Sequence, residues 1–210
     1  KRDPVLYKSL QENVWPDRQK SSERRLREQW WKFSRPATDL YRRIGSLRRV
    51  LVMGRHATHH TLAYHDVSTV FSDALSVFAF EKYAEFSVLQ SRIHEVWAKF
   101  LGSSIKDDPR YIPEDCFETF PFPLYAASDG TLEAVGKTYH DNRASLMVAA
   151  NEGMTKTYNR FHKPDERSAA IQTLRDLHDA MDRAVLKSYG WDDLADSLTP
   201  EFLTKASEND

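Results

Sequence analysis

The spacing of apolar residues in this chain changes for good at Phe120-Pro121-Phe122-Pro123, and that break limits the folds open to it. Two prolines in four residues cannot continue a helix, and each holds the residue before it in extended backbone. Beyond the break the spacing is helical only. Leu132, Val135, Tyr139, Leu146 and Ala150 form one stripe, and Ile171, Leu174, Leu177, Met181, Val185 and Tyr189 form a second after Pro164-Asp165. Two antiparallel helices packed on each other would bury both stripes.

Before the break the pattern is mixed. Val50-Leu51-Val52-Met53, ended by Gly54, predicts a buried strand, and Ser76–Phe80 predicts another; Thr61–Tyr64 and Thr69–Phe71 are weaker strand patterns. Helical spacing runs from Ser22 through Leu26, Trp30 and Phe33, then through Leu40, Tyr41 and Ile44 to Gly45, expected as a left-handed stop. Tyr83, Phe86, Leu89, Ile93, Val96, Trp97 and Phe100 predict one helix over Glu81–Leu101, closed by Gly102. Arg110–Ile112 and Cys116–Glu118 read as extended, Trp15-Pro16-Asp17 as a turn, and residues 1–20 show no clear period. The expectation is an α+β fold: a small mixed or antiparallel sheet packed with helices over 1–123, then a C-terminal helical hairpin or bundle over 124–210.

Charge is distributed unevenly. A net charge of −1 conceals 15 Lys/Arg against 6 Asp/Glu in residues 1–55, and 15 against 25 in the rest. From Pro164 onward there are 5 basic and 11 acidic side chains. Such a split fits a basic face for a polyanion and a solvated acidic end, or else charged helices that keep wet faces.

Several classes of function are excluded. The seven glycines never stand closer than six apart, which removes both the G-x-G-x-x-G loop and the P-loop. No apolar run approaches the roughly 18 residues of a membrane-spanning helix, and Lys1-Arg2-Asp3-Pro4 opens no signal-peptide core. A single cysteine, Cys116, allows no internal disulfide and no multi-cysteine zinc site, so a reducing cytoplasm is the expected compartment. The chain begins without Met and is expected to be a piece of something longer.

Catalytic patterns are equally scarce. His56, His59, His60 and His65 crowd the segment after Gly54, and two of them with Asp66 could hold zinc; no H-E-x-x-H helix exists, and loop histidines that touch phosphate are the better reading. No carboxylate-x-Lys or Gln-x-Lys triplet of the common nucleases occurs. Cys116 sits among Glu114, Asp115 and Glu118, which disfavour a thiolate, so it is expected to be a buried residue.

Nucleic-acid contact fits better. Arg42, Arg43, Arg48, Arg49 and Arg55 cluster, followed by His59, and Lys106 and Arg110 flank a loop beside Tyr111. Arginine and lysine neutralise phosphates, and planar guanidinium can read guanine edges. The competing reading of that loop is an ion-paired turn in which Asp107 and Asp108 hold Arg110. Arg92 and His94 are expected to be structural or superficial. Thr155–Arg160 either faces DNA or joins two helices, with the joint preferred.

Three runs, Leu89-Gln90-Ser91-Arg92-Ile93-His94-Glu95-Val96-Trp97-Ala98, Ser103–Tyr111 and Asp115–Pro123, resemble the end of the target-recognition domain in Eco57I-like DNA methyltransferases of type IIG and IIL restriction–modification systems. Ala144–Met147, Asn151–His162, Leu177-His178, Met181-Asp182 and Tyr189-Gly190-Trp191 resemble the helical C-terminal region of the same family. The resemblance covers about 35–191. It implies an upstream domain that binds S-adenosylmethionine and methylates adenine N6 through an Asn-Pro-Pro-Tyr motif, absent here. This piece is therefore expected to have no catalytic residue, no metal and no cofactor of its own. Its implied partners are double-stranded DNA and the missing methyltransferase domain in cis, with no membrane; in some enzymes of this family the same recognition domain serves restriction as well as modification. Two other readings compete: a docking domain of a phage-defence complex without DNA contact, and a metal-dependent enzyme built on the histidine segment.

Overall fold

The computed structural model describes residues 3–105 and 108–197. They fall into two compact units, Lys1–Gly45 and Ser46–Asp210.

The first unit is helical. α1 (Pro4–Asn13) starts at Asp3, whose carboxylate accepts from the N–H groups of Val5 and Leu6, both at 3.0 Å. α2 (Trp15–Gln19) replaces the turn expected at Trp15-Pro16-Asp17: a proline in the first helical turn gives up no needed hydrogen bond, and Asp17 there complements the helix dipole. α3 (Arg24–Glu28) is shorter than the spacing of Leu26, Trp30 and Phe33 predicts, because the backbone leaves the helix at Gln29. α4 (Thr38–Ile44) ends at Gly45, whose φ of −63° is right-handed rather than left-handed as expected. Trp30 and Ile44 are the buried apolar residues among those described in this unit.

The second unit is built around three antiparallel strands in the order β2–β1–β3: β1 (Arg49–Gly54), β2 (Ala63–Asp66) and β3 (Leu75–Phe78). Leu51 faces Tyr64 on one side and Phe78 on the other. Val50, Leu51, Val52 and Met53 are all at most 5% exposed, so the central strand is covered on both faces, as its unbroken apolar run requires. Thr69–Phe71 forms no strand, because Asp66 Oδ1 accepts from the Ser68 N–H and turns the chain there.

The predicted helix Glu81–Leu101 is two helices, α5 (Tyr83–Gln90) and α6 (Arg92–Leu101). Ser91 between them is extended (φ −64°, ψ 155°); its hydroxyl accepts from the His94 N–H and donates to the Val88 carbonyl, capping α6 and closing α5. β4 (Ser103–Ile105) and β5 (Asp108–Arg110) pair antiparallel. α7 (Pro113–Cys116) stands where Cys116 was expected to be extended, with Pro113 in its first turn.

The remaining helices are α8 (Gly130–Ala150), α9 (Met154–Phe161), α10 (Ala169–Ser188) and α11 (Asp192–Ser197). Asp129 caps α8, accepting from the N–H groups of Thr131 and Leu132. Gly136 lets α8 touch α5: a Cβ there would stand 2.4 Å from the Tyr83 carbonyl oxygen, and beside it Ser87 Oγ donates to the Leu132 carbonyl at 2.7 Å. Leu51, Met53 and Phe78 of the sheet share one core with Phe86, Leu89, Tyr139, Phe161, Leu174 and Met181. The helices after 124 thus pack with the sheet, and contacts divide the chain at Gly45/Ser46 while the expected division by role lies at 123/124. The architecture is α+β, and no described helix is long and apolar enough to cross a membrane.

Candidate nucleic-acid interface

The strand β1 separates residues that are neighbours in sequence. At about 3.3 Å per residue, Arg48 before the strand and Arg55 after it stand on the order of 20 Å apart. Arg48 and Arg55 therefore do not share one patch, and each arginine of the cluster has its own surroundings.

In the first unit, Arg42 and Arg43 lie exposed on the last turn of α4, where cations suit the helix dipole. Arg42 Nη1 pairs with Asp39 at 2.9 Å, both side chains being more than three-quarters exposed. Such a surface pair is worth at most about 1 kcal/mol, so Arg42 can exchange its partner for a phosphate.

In the second unit, Arg48 is 92% exposed and pairs with Glu81 at 3.2 Å. Arg49 is half-buried. Its guanidinium carbon lies 3.8 Å from the centre of the Tyr64 ring and 4.4 Å from that of Tyr83, its Nη1 donates to the Tyr83 hydroxyl at 3.1 Å, and its Nε donates to the Glu81 carbonyl at 2.9 Å. With those donors engaged, Arg49 is a strut between β1 and α5.

At the far end of β1 the fold gathers distant residues. His56 and Arg110 form an antiparallel bridge, and the Tyr111 N–H donates to the Arg55 carbonyl at 2.9 Å. Arg55, His56 and Arg110 thereby share one edge; His56 and Arg110 are exposed and Arg55 is half-buried. Arg55 Nε is buried without a hydrogen-bond partner among the described residues. A donor left so pays its desolvation in full until an acceptor arrives. Lys106, expected on this loop, lies outside the described residues.

Tyr111, expected at the surface, is only 6% exposed, and its hydroxyl meets His94 Nε2 at 3.2 Å. It packs on Phe78, so it holds the edge in place from inside. His59 turns towards α9, with Nε2 2.7 Å from Asn159 Oδ1 and its ring stacked on His162 at 4.9 Å. His60 Nε2 bonds the Leu89 carbonyl at 2.7 Å, and burial pushes its pKa down to about 4. Of the histidine segment, His59 and His60 are thus taken up by internal contacts while His56 and His65 are exposed, and no three His, Cys, Asp or Glu among the described residues could hold a metal ion. Cys116 is fully buried, and burial raises its thiol pKa.

Two buried cations escaped the reading of the sequence. Arg143, 2% exposed, donates to the Leu62 carbonyl (2.7 Å), the Tyr158 hydroxyl (3.0 Å) and Gln90 Oε1 (3.2 Å). It stands in helical register with Leu132, Gly136 and Tyr139, all buried, which is the signal that could have placed it inside. Arg175 donates to the carbonyls of Phe161 (2.9 Å) and Lys163 (2.7 Å), closing the C-terminal end of α9. Arg92 is structural, bonding Asp182 at 2.6 Å, and Asp182 also meets His178 at 3.1 Å. Thr155–Arg160, expected as a joint between helices, is itself helical and lies within α9, with Arg160 tied to Glu152 and Glu166.

The family described as MmeI, target recognition domain, matches residues 16–124, just over half of the chain. A solved structure of the type IIL restriction–modification enzyme MmeI in complex with DNA has a similar fold, with a TM-score of 0.60 and 19% sequence identity. The similarity covers 90% of this chain and 24% of that one, so the chain spans about a quarter of that enzyme's length. Comparison with curated proteins found no match. A fold that matches one part of a DNA-bound enzyme and a family that matches from α2 through the Phe-Pro-Phe-Pro break lead to one assignment: the chain belongs to the MmeI target recognition domain family.

Proposed function

We propose that this chain is the DNA-recognition part of a type IIL-like restriction–modification methyltransferase and performs no turnover itself. The observation that carries the reading is the edge where Arg55, His56 and Arg110 meet. Two basic segments more than fifty residues apart in sequence are joined by backbone bonds, and a buried guanidinium nitrogen there lacks an acceptor among the described residues. Phosphate oxygens and guanine edges are the acceptors such a group fits.

On this reading Arg55 and Arg110 contact the duplex at the β1 exit, with His56 beside them. Arg48 makes a second contact at the β1 entrance, and Arg42 and Arg43 contribute phosphate contacts from α4. Arg49, Tyr111 and His59 hold these groups rather than touch DNA. Recognition belongs to residues 1–123, and residues 124–210 support it through the shared core. The parent's methyltransferase domain would bind S-adenosylmethionine, modify adenine N6 and contact this chain in cis. Base modification requires the base to leave the helix, so a separate part that grips the duplex is a physical need of that chemistry. The cytoplasm is the compartment proposed.

Titration of the purified chain with a labelled duplex at several salt concentrations tests the reading. Binding should weaken with salt by about 0.9 in the log–log slope for each phosphate neutralised. No duplex binding at low salt, together with capture of a protein partner through residues 124–210, would replace it with the docking reading.

A further inference from the structure

Twelve residues of the first unit, Arg24 to Arg35, carry five cations, one carboxylate and three aromatic rings. The carboxylate is engaged, since Glu28 accepts from Arg24 Nε at 2.7 Å. Two arginines brace the backbone. Arg27 Nη1 donates to the carbonyls of Ser21 (2.7 Å) and Ser22 (3.0 Å), and Arg25 Nη2 donates to the Ser34 carbonyl. Trp30 turns inward, with its ring 5.9 Å from Tyr7 and 5.8 Å from Trp31. Lys32 N–H donates to the Gln29 carbonyl at 2.9 Å. Residues 29–34 therefore form a turn anchored by Trp30 and tied across by Arg25.

The groups this turn presents are largely open to solvent, with Trp31 touching Trp30 edge-on. Trp31 is 53% and Phe33 66% exposed. Lys32 and Arg35 are also exposed, with no carboxylate in salt-bridge range among the described residues. No aliphatic side chain interrupts Trp30 to Arg35, so the exposed apolar surface here is flat ring faces alternating with cations. A bilayer or a protein groove would be met by a continuous stripe with aliphatic residues. Flat rings beside unpaired cations match the two components of a nucleic acid, base faces and phosphates.

We infer that this turn is a second nucleic-acid contact, in which Lys32 and Arg35 meet phosphates and Trp31 and Phe33 stack on an unpaired or unstacked base. The inference rests on the proposed DNA-recognition function and adds a contact at a site distinct from the β1 edge. Its chemistry is independent of sequence: it would hold a strand distorted by base extrusion rather than read its letters.

The test compares the full chain with the Lys32→Ala/Arg35→Ala and Trp31→Ala/Phe33→Ala variants, using short labelled duplexes, one fully paired and one with a mismatched pair. The lysine–arginine variant should lower the magnitude of the log–log salt slope by about 1.8. The aromatic variant should keep the slope but bind the mismatched duplex roughly tenfold more weakly, with a smaller loss on the paired one. Unchanged urea unfolding would confirm that both variants fold. If both bind like the unaltered chain while Arg55→Ala/Arg110→Ala binds more weakly, this contact is overturned and the function stands. If no protein binds either duplex, both fall together. Binding of the unaltered chain, but not the variants, to anionic vesicles with DNA affinity unchanged would also overturn it.

Discussion

The two units hold their ion pairs differently, although Arg25 and Arg27 brace backbone in the first and Arg48 and Arg110 lie exposed in the second. In Ser46–Asp210, Arg92, Arg143 and Arg175 are covered, and their guanidinium groups bond carboxylates, hydroxyls and carbonyls of other elements. In Lys1–Gly45 the ion pairs Lys8–Glu12, Lys20–Asp17, Arg24–Glu28 and Arg42–Asp39 all join side chains more than half exposed. A count of basic residues along a sequence is therefore not a map of a binding face. Packing decides whether a guanidinium is a strut or a contact, and only the second kind is available to a phosphate. Histidine divides the units as sharply: all eight lie after Gly45.

That division gives the largest expected effect. Burial pushes the imidazoles of His60 and His162 down to about 4 and that of His94 to about 3. With folded pKa values below the unfolded value of about 6.5, the unfolded chain takes up protons first as pH falls. Stability is then complete above about pH 6.5 and is lost progressively towards pH 4 and 3, each histidine adding up to about 1.4 kcal/mol per pH unit to the slope. Urea unfolding across this range should show the loss in near-ultraviolet circular dichroism of the second unit. A stability flat from pH 7 to 4 would contradict the burial of these rings.

Arg143→Met should cost about 3 kcal/mol in the same assay at neutral pH, because the Leu62 carbonyl, Gln90 and the Tyr158 hydroxyl each lose a buried donor. Tyr111→Phe should cost about 1 kcal/mol through its bond to His94 and leave DNA affinity unchanged; a large fall in affinity would return Tyr111 to the DNA surface. Arg43→Ala marks the other end of the scale. It should change stability by less than about 0.5 kcal/mol yet reduce the salt slope of duplex binding by about 0.9. A variant that destabilised the fold without altering the slope would erase the contrast between the units.

Much of the fold was legible in the sequence because its signals were local. Four consecutive apolar residues from Val50 to Met53 could only be a covered strand, and the Phe-Pro-Phe-Pro break and the helical stripes after it stood out for the same reason. The break at Ser91 was hidden because Leu89 and Ile93 keep helical spacing across it, while a single hydroxyl redirects the backbone. The site was less legible. Whether Arg49 faces solvent depends on Tyr64 and Tyr83, and what joins His56 to Arg110 is a pairing across more than fifty residues. Such partners are set by tertiary packing, to which a one-dimensional pattern is blind. Arg143 was the exception, since its place on the Leu132–Tyr139 face was readable.

The central claim, that the β1–β5 edge grips duplex DNA, is tested most directly by measuring the salt dependence of duplex affinity for the unaltered chain and for Arg55→Ala/Arg110→Ala. The account predicts a slope smaller in magnitude by about 1.8, with the thermal midpoint preserved. Equal slopes and equal affinities in two equally folded proteins would contradict it.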